Sequence, residues 1–112
     1  MVLIRIDVHA SCDKQDLQTI NIGRAGTYGV QRVEFDLHAL PFDVQRVELC
    51  YQTPKEFRQM DLPITGTIAT WNVSEEDTEY PGSGECELFV YHGIGLWKSG
   101  IYPVVVLRNI DS

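Results

Sequence analysis

The feature that most constrains this chain of 112 residues is the alternation of apolar and polar side chains in steps of two. It runs through segments 2–8, 32–38 and 46–51. Successive side chains of a β-strand point to opposite faces, so this pattern is typical of strands with one buried face. Helical spacing is confined to residues 74–77, where Ser74 is placed to cap a single turn. The chain is therefore predicted to be all-β.

The spacing of these strands predicts how they are arranged. Apolar runs recur about every ten residues with turn residues between them, which favours an antiparallel β-sandwich of about seven or eight strands. The length corresponds to one domain, residues 1–112. The strands over 33–37 and 47–51 are predicted to pair with each other. Segment 52–62 loses its periodicity between Pro54 and Pro63, and is predicted to be an irregular loop that is mobile or binds a partner.

Charge and hydrophobicity exclude several classes of function. The net charge is −7, with only 9 lysines and arginines, so binding to a phosphate backbone is disfavoured. No apolar run reaches 18 residues, so no membrane span is expected. The opening segment 1–7 carries charge within its apolar run and is not expected to be a signal peptide. We expect synthesis in a cytoplasm, and neither nucleic acid nor membrane as a partner.

The three cysteines, Cys12, Cys50 and Cys86, do not have the spacing of a metal site. The order Cys50, Trp71, Cys86 allows an immunoglobulin-type disulfide packed on a tryptophan. Small buried hydrophobic thiols in a reducing compartment are the alternative. The sequence leaves both interpretations open.

Groups that could perform chemistry are scattered. His9, His38 and His92 are far apart, and His9 with Cys12 cannot complete a zinc site. The acidic residues between 75 and 87 lack the pattern of a calcium loop. Phosphate-binding loops and nucleophile elbows are also missing. We therefore predict no catalytic, cofactor-binding or metal-binding residue, no cofactor, and no enzymatic activity.

The two tryptophans are predicted to have different environments. Trp71 is in register with Ala69 and Val73, which indicates a core position. Trp97 follows a tight turn at 93–95 and could be exposed. Exposed aromatic rings on a β-sandwich can stack on sugar rings, so a carbohydrate-binding module that recognises host-surface glycans is the alternative function.

A motif in the second half of the chain resembles one found in virion proteins of phages that infect Gram-positive bacteria. In that motif a tryptophan and a hydrophobic residue precede Ser/Thr-x-x-Asp-Thr, a Gly-x-Gly turn and a closing Lys-Ser-x-x-Tyr strand. The matching residues here are Trp71, Val73, Ser74, Asp77, Thr78, Gly82, Gly84, Lys98, Ser99 and Tyr102. The chain is most similar to the N-terminal domain of phage baseplate upper proteins, which implies an immunoglobulin-like sandwich.

This resemblance also implies a function. The chain is expected to be a non-enzymatic virion structural protein, either a baseplate or tail adaptor or a head decoration or fibre module. Its expected partners are other virion proteins or further copies of itself as a homo-oligomer, and its expected location is the virion. The candidate partner-binding residues are Pro54, Phe57, Arg58 and Trp97, together with the turns at 82–84 and 93–95.

Overall fold

A computed structural model describes residues 2–9, 17–29 and 31–109. Within these ranges the chain forms nine strands and one 3-10 turn, Glu76–Thr78, and no helix there has the length and hydrophobicity to cross a bilayer. Cys12 lies outside the described residues. The prediction of an all-β chain is confirmed. The strands are β1 Val2–Asp7, β2 Ile20–Arg24, β3 Gln31–Asp36, β4 Arg46–Gln52, β5 Phe57–Leu62, β6 Ile64–Thr65, β7 Ile68–Asn72, β8 Gly82–His92 and β9 Gly95–Leu107.

Two sheets face each other in a sandwich-like arrangement. The four-stranded sheet has the order β1-β3-β7-β6, and the five-stranded sheet has the order β2-β9-β8-β4-β5. Aromatic rings from opposite sheets meet in the core. The ring centroids of Phe35 and Tyr102 are 5.9 Å apart, and those of Tyr51 and Trp71 are 5.4 Å apart. Trp71 is only 1% exposed, so its predicted core position is confirmed.

Both sheets are mixed, so the prediction of a purely antiparallel sandwich is wrong. Strand β1 pairs in parallel with β3, and β2 pairs in parallel with β9, whereas the other ladders are antiparallel. Parallel neighbours need a crossover connection. Here the chain between β1 and β3 passes through β2 in the opposite sheet, an excursion that local alternation does not encode.

The predicted pairing of 33–37 with 47–51 is also wrong. Strands β3 and β4 belong to different sheets, and the segment between them crosses from one layer to the other. That segment buries Leu37 and Leu40, while Phe42 and Val44 pack against the core. It therefore closes one end of the sandwich instead of forming a hairpin.

Segment 52–62 is not the predicted irregular loop, because most of it forms the edge strand β5. The ladder with β4 runs from Gln52 opposite Phe57 to Val47 opposite Leu62. The alternation is inverted at the start of the strand: Phe57 points outward and is 58% exposed, while Arg58 lies on the inner face. An outward phenylalanine beside an inward arginine hides the period-two pattern from a hydrophobicity-based prediction.

The long β8–β9 hairpin contains two glycines whose roles are clear. Gly93, at φ +48°, and Ile94 form the two-residue connection, and a positive φ at the first position is the pattern of a type II′ turn. At Gly84 a Cβ atom would lie 2.4 Å from the carbonyl oxygen of Gln52. The absence of a side chain at Gly84 therefore lets β8 approach β4 at this point.

Candidate interaction surfaces

A buried carboxylate organises the residues of the 71–78 motif. Asp77 is 1% exposed, and its Oδ2 accepts hydrogen bonds from Trp71 Nε1 at 3.0 Å, Ser74 N at 2.9 Å and Ser74 Oγ at 3.0 Å. In return, Asp77 N donates to Ser74 Oγ at 3.4 Å. This reciprocal arrangement matches the predicted cap of a single turn. It also gives the buried indole N–H of Trp71 a partner.

Arg58 completes this corner from the edge strand. Its Nε lies 3.1 Å from Asp77 Oδ1, as an ion-pair contact and not as an aligned hydrogen bond, and its Nη1 donates to Glu76 at 2.7 Å. The hydroxyl of Tyr51 donates to the Asp77 carbonyl oxygen at 3.0 Å. Burial raises the pKa of Tyr51. The predicted partner-binding residue Arg58 is thus tied to the turn after β7.

Thr78 links the same turn to the other side of the sandwich. It is fully buried, and its Oγ1 donates to the Thr27 carbonyl oxygen at 2.8 Å. The backbone N–H of Gly26 donates to the Thr78 carbonyl oxygen at 2.9 Å. The motif residues Trp71, Ser74, Asp77 and Thr78 therefore act inside the fold, where they join the two sheets at one end.

The four predicted partner-binding residues do not form one surface. Pro54 and Phe57 are both exposed near the start of β5, and Pro54 lies against Gly82 at the start of β8, where a Cβ atom would be 3.3 Å from the Pro54 Cγ. Trp97 pairs with Val90 towards the opposite end of the sheet, on the inner face, and its ring centroid is 6.2 Å from that of Phe42. The prediction of a turn at 82–84 is wrong, because these residues are the first of β8 and pair with β9. The structure brings Pro54 close to this start of β8, far from Trp97 and the 93–95 turn.

A polar network covers part of the outer face of the five-stranded sheet. Glu48, 8% exposed, accepts hydrogen bonds from Gln59 Nε2 at 2.6 Å, Arg46 Nη2 at 2.9 Å and the Tyr91 hydroxyl at 3.3 Å. The Arg46 guanidinium also lies 4.9 Å from the centroid of the Tyr91 ring. These contacts join β4, β5 and β8, so this part of the face is held by cross-strand pairs.

Cys50 and Cys86 are both free thiols. They lie on adjacent strands but on opposite faces, because Cys86 is opposite the inward-facing Tyr51 and Cys50 is opposite Glu87. Burial raises the pKa of Cys86 to about 12. The disulfide interpretation is therefore wrong for this pair, and both act as small buried side chains.

One cluster of titratable groups was missed by the sequence analysis. Asp7 and Asp36 are directly opposite in the parallel β1–β3 ladder, and His38 Nδ1 lies 2.9 Å from Asp36 Oδ1. One ligand-type atom from each of the three residues lies within 4.8 Å of the others. The hydrogen bond from the His38 side chain lowers the pKa of Asp36. Sequence reasoning missed the cluster because it depends on a parallel register between distant segments.

A cavity of about 460 Å³ lies beside this cluster. Its apolar lining is Leu37, Leu40, Phe42, Val44 and Ile64, and its other lining residues are His38, Asp43, Gly66 and Thr67. Two of these also contact Asp36: His38, and Thr67, whose Oγ1 donates to Asp36 Oδ1 at 3.2 Å. The cavity and the cluster are therefore contiguous.

This chain shares its fold with the N-terminal domain of phage TP901-1 ORF48. The two superpose with a TM-score of 0.69, and the match covers 96% of this chain and 99% of the other. Their sequences are 9% identical, so the similarity concerns the fold. No protein-family model matches the sequence, and neither does any curated protein.

Proposed function

We propose that this protein is a structural component of a phage particle and acts through protein–protein assembly, without enzymatic activity. The observation that carries the proposal is the near-complete fold match to an N-terminal domain of a phage protein. The 71–102 motif, which resembles phage virion proteins, supports it independently. Fold alone does not fix function, so the proposal needs a direct test.

The proposal includes an immunoglobulin-like relationship. The order β1-β3-β7-β6 in one sheet and β9-β8-β4 in the other follows the ABED and GFC order of that fold. The main departure from the immunoglobulin fold would then be the two edge strands, since β1 pairs in parallel with β3 and β2 pairs in parallel with β9. This description is consistent with the expected baseplate-type sandwich.

The surface we assign to assembly is the end of the sandwich around Pro54 and Phe57. Phe57 exposes an aromatic ring on β5, which is an edge strand of the sheet formed by the described residues, and the outer edge of such a strand presents peptide groups that a partner strand can bind. Arg58 would hold that edge in place through Asp77. Trp97 is not part of this surface, because its ring faces the core side and packs near Phe42. The same orientation removes the observation on which the glycan-binding alternative depended.

The direct test is the composition of purified particles. Phage from a culture that carries the gene would be banded in a density gradient, and its proteins quantified by mass spectrometry. We expect the chain in the particle band at a fixed ratio to the major capsid protein. Its absence from intact particles, with the protein abundant in the lysate, would reject the proposal.

A variant pair locates the surface. We expect Phe57→Ser to reduce incorporation into particles, because it removes the exposed ring from the proposed contact. Ile94→Ser is the matched control, since Ile94 is fully exposed at the opposite end of the sheet. Equal incorporation of both variants would place the contact elsewhere on the molecule.

A further inference from the structure

The cavity and the neighbouring cluster together have the chemistry of a site for a basic side chain. The cavity offers an apolar floor from Leu37, Leu40 and Phe42. Carboxylates lie in the lining and next to it: Asp43 lines the cavity, and Asp36, opposite Asp7 in the ladder, contacts the lining residues His38 and Thr67. A ligand that fits must combine an apolar stem with a positive head.

The electrostatics of the rim favour a cation. Asp7 and Asp36 face each other directly in the ladder, so two carboxylates meet at this place. The nearby Arg5 donates to Glu34 at 2.7 Å and its charge also acts on Asp7 and Asp36, so this guanidinium is shared among three carboxylates. His38 Nδ1 and Thr67 Oγ1 both contact the same oxygen of Asp36, Oδ1. The chain as a whole carries a net charge of −7.

We infer that this site binds an arginine side chain from a basic segment of a partner protein. The planar guanidinium can bond to two carboxylate oxygens at once, while its aliphatic stem can lie on the apolar floor. The inference rests on the proposed assembly function, for which it specifies the chemistry of one partner. It concerns a surface separate from the Phe57 end, since Asp7 and Asp36 belong to β1 and β3 of the other sheet.

The test uses the isolated chain and two small probes, N-acetyl-arginine amide and its neutral analogue N-acetyl-citrulline amide. Backbone amide shifts would be followed by nuclear magnetic resonance. We expect saturable shifts at residues 37–44 and 66–67 with the arginine probe, and binding of the citrulline probe weaker by about fivefold. Equal responses to both probes, or none, would overturn the inference.

Variants separate a specific site from general attraction to an acidic protein. The double variant Asp7→Asn, Asp43→Asn is expected to bind the arginine probe about fivefold more weakly, or weaker still, since two negative charges beside the cavity are removed. The double variant Glu75→Gln, Glu79→Gln also removes two exposed charges, beyond the far end of β7, and is expected to leave binding unchanged. Equal weakening by both variants would show that only net charge matters.

A titration with zinc chloride instead of the arginine and citrulline probes tests whether a metal ion occupies the site. Saturable shifts at Asp7, Asp36 and His38 with zinc, and none with arginine, would replace the inference with a metal site. Failure with the arginine probe would leave incorporation into particles untouched. Conversely, a chain absent from particles could still bind arginine, so the two failures are distinguishable.

Discussion

At the scale of single residues, Asp77 shows how an acidic side chain becomes part of a core. A buried carboxylate loses its hydration and is tolerated when donors and a counter-charge replace it. Here three donors from Trp71 and Ser74 meet one oxygen, and Arg58 faces the other. The acidic residue of the motif therefore connects strands of both sheets.

Truncating Asp77 tests this role. We expect Asp77→Ala to lower the free energy of unfolding by about 3–5 kcal/mol, because it removes the partner of the buried indole N–H, of Ser74 and of the Nε of Arg58. Urea denaturation followed by tryptophan fluorescence measures the loss. Glu76→Ala is the control, since its side chain is 71% exposed and its pair with Arg58 should contribute less than about 1 kcal/mol. Similar losses for the two variants would contradict the assigned role.

Asp36 gives a prediction about pH. Its pKa in the folded chain lies below the ordinary 3.8, mainly because of the hydrogen bond from the His38 side chain. The ionised form therefore stabilises the fold above about pH 4, and this contribution is lost as the pH falls through the lower, folded-state pKa. We expect Asp36→Asn to melt below the wild type at pH 6 and to converge with it at acidic pH. A difference in melting temperature that stays constant from pH 6 to the acid limit would contradict this.

At the scale of elements, the close approach of β8 to β4 depends on Gly84. We expect Gly84→Ala to lower the free energy of unfolding by about 1–3 kcal/mol, because its Cβ would meet a backbone carbonyl 2.4 Å away. Ser83→Ala, at the preceding exposed position, should change stability by less than about 0.5 kcal/mol. Chemical denaturation of both variants measures the difference. A stable Gly84→Ala variant would show that the strands can separate without loss.

The elements differ in how well the sequence predicts them. Strands β3 and β4 follow from alternation, because the apolar side chains of each, Val33 and Phe35 in β3 and Val47, Leu49 and Tyr51 in β4, all face the core. Strand β5 could not be predicted this way, since Arg58 is drawn inward by Asp77 and Phe57 is left outside. Pairings such as β1 with β3 are set by long-range register, which local patterns do not contain. The Asp7–Asp36–His38 cluster could not be predicted for the same reason, because it depends on the parallel register of β1 with β3.

At the scale of the whole molecule, the two sheets form a single core that neither could bury alone. Phe35 of β3 contacts Tyr102 of β9, and Trp71 of β7 contacts Tyr51 of β4. The corner at Asp77 closes one end of this core, and the crossing segment with Leu37, Leu40 and Phe42 closes the other. The proposed Phe57 surface and the arginine site lie on different sheets, so the molecule could hold two neighbours at once.

The parallel pairing of β2 with β9 has a mechanical consequence. Because the two strands run in the same direction, the N-terminal end of β2 and the C-terminal end of β9 lie at opposite ends of their ladder. Tension pulling those two ends apart would load the ladder in shear, so that its hydrogen bonds must stretch together instead of opening one by one. Such a joint resists rupture better than a ladder whose hydrogen bonds open in sequence.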